Sequence, residues 1–388
     1  MTTNNVELLL YDLVALPSVN PEGNATHSES PYGESRVADY VQRFFEPLGL
    51  RVERQAVLPG RDNVLVHVPG EDRSVPPILL EAHMDTVGVK HMAMPFTPHI
   101  ERGRVCGRGA CDTKASLAAM MLALRQLVEE EARLPRSVCL AATVDEEFAQ
   151  SGVQRLVESE MQFSAAIVGE PTSLHVVAAH KGQVYFKVVT HGKAAHTSTP
   201  EHGLNAIYLM SDVIHVLRMR STVEYSQRVH PLCGSPALTV AIIHGGSSEH
   251  VVPDACEIAV DCRLIPGESW PEAVAEMQRW VAEDLGEEDG KRVAFQLPYH
   301  NAPPMQTPIE HPLVQGLRQA AANVLGEAQV VGVPYNTDAG ILSVCGVPSV
   351  VFGPGDIAQA HTDAEFVEIK QVTAGVEILK RFLLEYTA

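Results

Sequence analysis

"SVCLAATV", residues 137–144, is a largely apolar run that ends directly in Asp145, Glu146 and Glu147. An apolar run without alternation suits a strand buried on both faces. Similar runs recur at "NVLVHV" (63–68), "PILLEAH" (77–83) and "AAIVG" (165–169). Between and before them lie segments with helical spacing, such as "VELLLYDLVAL" (6–16) and "RVADYVQRFFEPLG" (36–49), the latter closed by Gly49. Alternation of this kind predicts an α/β domain whose mostly parallel sheet is flanked by helices.

The texture changes in the middle of the chain. "QVYFKVVT" (183–190) alternates as a half-buried strand does, and "PEHGLNAIYLMSDVIHVLRM" (200–219) reads as a helix begun near Pro200. Strands follow at "ALTVAIIHGG" (237–246) and "CEIAVDCRLI" (256–265). A helix runs from Ser269 to Gly286, and "RVAFQLPY" (292–299) is a last strand. The order is βαββαβ, a ferredoxin-like unit. Residues 311–388 then return to the α/β pattern. The expected organisation is a catalytic domain of residues 1–178 and 301–388, interrupted by an inserted domain of residues 179–300.

Composition limits the function. The 388 residues carry a formal charge of −19. That excess of acid argues against a nucleic-acid footprint and against an anionic membrane surface. Arg36 is the first basic residue, and no apolar run approaches a membrane span. The seven cysteines contain no CxxC pair. Reduced thiols and a cytoplasmic location are expected.

The polar residues after the strands carry the chemistry. "PILLEA" leads into His83-Met84-Asp85, "SVCLAATV" into Glu146 and Glu147, and "AAIVG" into Glu170. "PSVVFGPGDIAQA" leads to His361, and Asp112 follows the glycine-rich turn "CGRGAC" at the head of a helix. Taken singly, each has a bland explanation: a surface histidine, an N-cap or a solvated helix start. In α/β sheets, however, ligands bind outside the carboxyl ends of the strands, so all five places can meet. Two imidazoles and three carboxylates without a thiolate suit divalent ions such as Zn, Co or Mn. Asp112, Glu147 and Glu170 total −3, which a pair of divalent ions balances better than one. Asp85 is placed to orient His83.

These stretches, with "EAHMDTV", "GRGACDTKASLAAM", "TVDEEFAQSG", "VGEPT", "HGKAAHTSTPEHGLNAI" and "VPDACEIAVDCRLIPGE", resemble in order the two-metal amidases and exopeptidases that include acetylornithine deacetylase, succinyl-diaminopimelate desuccinylase and glutamate carboxypeptidase. The resemblance implies that His83 and Glu170 hold one ion, Glu147 and His361 the other, and that Asp112 bridges them, with a cis peptide bond between Asp112 and Thr113. It implies Glu146 as general base, Asp85 as support for His83, His196 as oxyanion donor and Arg263 as the grip on a substrate carboxylate. It makes the inserted unit a lid through which the protein forms a homodimer. His250 stands where relatives often have an asparagine that shapes the substrate pocket, and Asn336 and Thr337 lie in a substrate-contacting segment. The activity implied is hydrolysis of an N-acyl amino acid by a metal-activated water, of the acetylornithine deacetylase type. The alternatives are desuccinylation and dipeptidase or carboxypeptidase action. Small N-acyl amino acids or short peptides are the expected partners, with two divalent ions, zinc first, as cofactors.

Overall fold

The computed structural model describes residues 5–24 and 30–388. The chain forms two compact units. The larger comprises the chain up to Ala178, Gln306–Val331 and Thr337–Ala388. The smaller comprises Ala179–Met305 and Gly332–Asn336.

The larger unit is built on a mixed sheet. Its strands are β1 (Arg51–Leu58), β2 (Arg61–Val68), β3 (Ile78–His83), β4 (Val138–Thr143), β5 (Ala165–Val168) and β6 (Val176–His180), with a late strand at Ser349–Val351. Across the sheet the order is β1-β2-β4-β3-β5, then Ser349–Val351, then β6. The central pairs β4/β3 and β3/β5 are parallel, as is β5 with Ser349–Val351. The pairs β1/β2, β2/β4 and Ser349–Val351/β6 are antiparallel. The parallel expectation therefore holds in the centre and gives way at the edges. The central strands are the continuous apolar runs: every residue of β3, β4 and β5 is buried.

Helix α1 (Lys114–Glu129) is buried almost all round. It packs between strands β3 and β4 and the C-terminal helix Ile369–Glu385. Its small residues, Ala115, Ser116, Ala118 and Ala119, permit that close approach.

The smaller unit is an antiparallel sheet with helices on one face. Its elements are β7 (Gly182–His191), α2 (Ala206–Ser226), β8 (Ala237–Gly245), β9 (Ala255–Leu264), α3 (Trp270–Gly290) and β10 (Val293–Phe295). The strand order is β8-β9-β7-β10, which completes the βαββαβ arrangement. Val184, Phe186 and Val188 of β7 and Ile258, Val260 and Cys262 of β9 form one core with Met210, Val213 and Leu217 of α2 and Met277 and Val281 of α3. Strict alternation in β7 put one set of side chains under the helices.

Three local expectations change. The helix expected near Pro200 begins at Ala206, because the Asn205 side chain accepts from the backbone N–H of Ile207 and Tyr208; residues 200–202 form a separate 3₁₀ turn. The helix does break at Gly286, at φ 78° and ψ 174°, but a second helical stretch follows it to Gly290. The strand expected over 292–299 breaks after Phe295 and resumes as β11 (His300–Ala302), with Pro298, which has no N–H to donate, between the two pieces. Both pieces pair with β7.

Candidate active site

The five proposed ligands meet at the carboxyl ends of the central strands of the larger unit. Asp112 stands in the middle. Its Oδ1 lies 3.2 Å from His83 Nε2 and its Oδ2 lies 3.2 Å from His361 Nε2. Glu170 Oε1 is 3.7 Å from His83 Nε2, and Glu147 Oε2 is 3.2 Å from His361 Nε2. Two half-sites result, His83–Glu170 and His361–Glu147, each facing one oxygen of Asp112. The peptide bond Asp112–Thr113 is cis. Asp112 makes no cap for α1, whose N-cap is Thr113 without a side-chain hydrogen bond.

Glu146 stands apart in its bonding. No ion pair is formed by its carboxylate among the described residues, yet a carboxylate oxygen of Glu146 lies within 4.8 Å of ligand atoms of His83 and Glu170. The same spacing groups His83, Asp112 and Glu147. Geometry therefore places Glu146 within reach of the same space as the ligands.

The turn that carries these glutamates is fastened from below. Asp85 Oδ1 accepts from Glu146 N at 3.2 Å, and Asp85 Oδ2 accepts from Glu147 N at 3.1 Å and from Asn20 Nδ2 at 2.7 Å. The nearest group to His83 Nδ1 is the Asp85 backbone carbonyl at 3.0 Å; the Asp85 carboxylate is at 3.5 Å. Asp85 thus links His83 to the glutamate turn. Asp145, in the left-handed region at φ 70°, accepts from Asn20 Nδ2 at 3.0 Å and from Ser151 Oγ at 2.5 Å, and pairs with Arg61 at 3.0 Å. Arg61 is held in turn by the buried Glu34. Gly152 closes the turn. A Cβ there would stand 2.4 Å from the Val144 carbonyl oxygen, so only glycine fits.

Charge is concentrated here. Among the described residues, the cationic partners of Asp112, Glu147 and Glu170 are the two imidazoles. Burial first, then the neighbouring Asp112 charge, raises the carboxyl groups of Glu147 and Glu170. Burial also raises Glu146 well above its ordinary value, with the charges of Glu147 and Asp112 adding to it. Burial opposes a charged His83, but its hydrogen bonds to Asp112 and Asp85 outweigh that and raise it. Hydrogen bonds to Asp112 and Glu147 push His361 up to about 10. Such a set repels itself unless cations enter. Three acids and two imidazoles with two-fold sharing of Asp112 fit a pair of divalent ions by donor type and by charge.

The remaining proposed residues lie in several places. His196, His250, Arg263 and Asn336 belong to the smaller unit, and Thr337 to the larger. His196 and His250 are neighbours: Thr197 N donates to the His250 carbonyl at 3.1 Å. His196 Nδ1 accepts from Ser198 N at 3.1 Å. Arg263 is engaged by Asp261, Nε to Oδ1 at 3.0 Å and Nη2 to Oδ2 at 3.1 Å. His250 is exposed and Asn336 half-buried, while Thr337 is buried, its hydroxyl accepting from Ala339 N at 3.2 Å.

Sequence reasoning missed two supporting carboxylates. Glu365 accepts from Arg108 Nη1 at 2.6 Å, from Gly109 N at 3.0 Å, from Cys111 N at 2.9 Å and from Asp112 N at 3.0 Å. It therefore sets the loop that presents Asp112. Its only signal was an acid four residues after His361. Asp338 is fully buried and accepts from Gln150 Nε2 at 2.9 Å. Burial, and then the charges of Glu81 and Glu146, raise it well above the usual carboxylate range. It sits next to Thr337, in a segment read only for substrate contact.

The fold recurs in solved structures. An aminopeptidase PepT from Bacillus cereus matches with a TM-score of 0.78 at 20% identity, covering 99% of each chain. A tripeptidase from Staphylococcus aureus matches with a TM-score of 0.78 at 21% identity, over 99% of this chain and 98% of that one. A dinuclear metal-binding peptidase of family M20 from Bacillus subtilis matches with a TM-score of 0.71 at 16% identity, over 98% and 96%. At these identities the likeness speaks for the fold. The sequence profile of peptidase family M20/M25/M40 matches residues 79–385, a span that takes in every residue of the carboxylate–histidine cluster. The chain belongs to peptidase family M20/M25/M40, and is a metal-dependent hydrolase of that family.

Proposed function

We propose that the chain is a two-metal amide hydrolase acting on an N-acyl amino acid or short peptide with a free carboxylate. The observation that carries this is Asp112, whose two oxygens each face a different histidine at 3.2 Å. His83 and Glu170 would hold one ion and His361 and Glu147 the other, with Asp112 shared. Zinc suits the donors best; cobalt and manganese also accept them. When bound, the pair supplies Lewis acidity for the amide carbonyl and lowers the pKa of water.

The chain's own groups do the rest. Glu146 takes the proton of the attacking water and passes it to the leaving nitrogen. Its raised pKa in buried surroundings is what a proton carrier needs. The oxyanion donor is assigned to His196. Because its Nδ1 accepts from Ser198 N, the neutral ring carries its proton on Nε2, ready to donate. Arg263 grips the substrate carboxylate, a task for a planar fork.

Glu146→Gln tests the assignment. Both ions should remain by elemental analysis, while kcat falls by about 10²–10⁴. Undiminished turnover would remove Glu146 from the mechanism. On substrate, deacylation of the acetylornithine type follows from the resemblance of "GPGDIAQAHTDAEFVEI" to that branch. Dipeptide hydrolysis is the second reading, favoured by the peptidases among the similar structures. Amine release from N-acetylornithine, N-succinyl-diaminopimelate and a simple dipeptide separates them.

A further inference from the structure

The glutamate turn is held by a part of the chain that precedes the sheet. Residues 16–22 run beside Thr86, with Val19 in a parallel bridge to it. Asn20 N donates to the Thr86 carbonyl at 2.8 Å, and Thr86 N to the Ser18 carbonyl at 3.0 Å. Two long side chains fasten the start of this loop. Lys114 Nζ donates to the Leu16 carbonyl at 2.7 Å, and Arg36 Nε to the Pro17 carbonyl at 2.9 Å. Lys114 is fully buried and stands two residues after Asp112. The loop is thus tied at one end to the segment that carries Asp112, and it leads to Asn20.

Asn20 is 2% exposed, and both ends of its amide are engaged. Its Oδ1 accepts from Glu22 N at 2.7 Å. Its Nδ2 donates to Asp85 Oδ2 at 2.7 Å and to Asp145 Oδ1 at 3.0 Å, one acceptor for each N–H. Both aspartates are buried and both border the glutamates. Asp145 precedes Glu146, and Asp85 accepts from the N–H groups of Glu146 and Glu147. Two buried carboxylates repel each other. Arg61 pairs with Asp145 from one side while it also holds Glu34, and the Asn20 amide stands between the two aspartates. Asp145 sits at φ 70°, a region that residues other than glycine seldom occupy and that their surroundings must impose. The backbone of the turn carries the Glu146 carboxylate, so a shift of the turn is a shift of the base.

We infer that Asn20 is a positioning residue for Glu146: its amide clamps Asp85 and Asp145 together and so fixes the turn from which the proton carrier projects. The inference rests on the amide-hydrolase reading and deepens it. Asn20, Glu34 and Arg61 all precede residue 79, so the clamp lies outside the span by which the family was identified. Alanine at position 20 removes both donors and leaves two buried carboxylates to repel. Serine keeps a donor for one of them.

The test pairs kinetics with hydrogen exchange. The metal-loaded full chain is assayed on whichever of N-acetylornithine, N-succinyl-diaminopimelate and a simple dipeptide it hydrolyses. Asn20→Ala should lower kcat about 100-fold and leave KM within about twofold, with two ions per chain retained by elemental analysis. In the metal-free chain, exchange in a peptide spanning Val144–Phe148 should quicken about fivefold, the worth of one hydrogen bond, while strand β3 keeps its protection. Asn20→Ser should show smaller changes of the same kind, and it carries the test if the alanine variant does not fold. An unchanged kcat overturns the inference, whatever the exchange shows. So does a fall in kcat that tracks loss of metal or of protection in β3, since that marks a general structural role. A wild-type chain that hydrolyses none of the three substrates overturns the hydrolase reading, and this inference with it.

Discussion

The two halves of the candidate metal site rest on different foundations. His83 ends a central parallel strand, its side chain is 2% exposed, and its far nitrogen meets the Asp85 carbonyl. His361 stands outside regular structure at φ 59°, with its side chain 49% exposed. Glu170 follows β5 with Gly169 alone between them, whereas Glu147 lies in a turn held by Asp85. The first half is therefore fixed by the sheet, and the second by hydrogen bonds to loops. Only Asp112 belongs to both. A site of this kind keeps one position set before any ion arrives, and leaves the other open to solvent.

Removing one histidine at a time is the strongest way to break that contrast. His83→Ala leaves the buried Glu170 without its imidazole and Asp112 with only one of its two. We expect loss of both ions and a stability decrease of about 3–5 kcal/mol in urea unfolding. His361→Ala removes a group on the solvent side. It should retain close to one ion per chain by elemental analysis and change stability by less than about 1 kcal/mol. Equal losses in the two variants would erase the distinction between the halves.

A third histidine sharpens it. His180 at the end of β6 is as buried as His83, but it faces the Lys181 carbonyl at 2.9 Å and no carboxylate. Burial lowers its pKa from 6.5 to about 4. The same burial acts on both rings, and acidic neighbours alone reverse its outcome at His83. The unfolded chain binds the His180 proton near pH 6.5 and the folded chain only near pH 4. The contribution of a neutral His180 is thus complete above pH 6.5 and declines as pH falls to 4. At about 1.4 kcal/mol per pH unit, roughly 3 kcal/mol is lost across that window. His180→Gln should flatten this part of the stability profile in urea titrations. An unchanged slope would show that other groups set it.

The smallest effect expected concerns what the halves share. In Glu365→Gln, an amide N–H₂ must face backbone donors that now meet carboxylate oxygens, which loosens the Asp112 loop. Metal affinity should fall by about 10–100-fold, and equally for both ions. Competition with a chelator measures it. A loss confined to one ion would mean that Asp112 is not shared.

Much of this site was legible because its residues follow apolar strands. His83, Glu147 and Glu170 come within a few residues of β3, β4 and β5, so parallel pairing alone brings them to one edge. Asp145 was less readable: it looks like surplus acid in the sequence, and only its bonds to Asn20, Ser151 and Arg61 give it work. Asp85 was legible as the support of His83, but its bonds to the glutamate turn were not. Glu365 left only the signal of an acid close after His361, and Asp338 left none, because each is defined by donors more than 180 residues away. The helix after Pro200 started late for a similar reason: the cap at Asn205 outweighed a proline that also starts turns.

By itself, the sequence determined where the central strands and the main helices fall, that a βαββαβ unit interrupts an α/β unit, and which residue types could hold metal. Periodicity and strand length are local properties, and they survive without a structure. Tertiary structure alone decided that Asp112 presents one oxygen to each histidine, that Asp85 ties His83 to the glutamate turn, and that Arg263 is half-occupied by Asp261. Those facts depend on distances between segments remote in sequence, which the chain acquires only when its sheet sets their register.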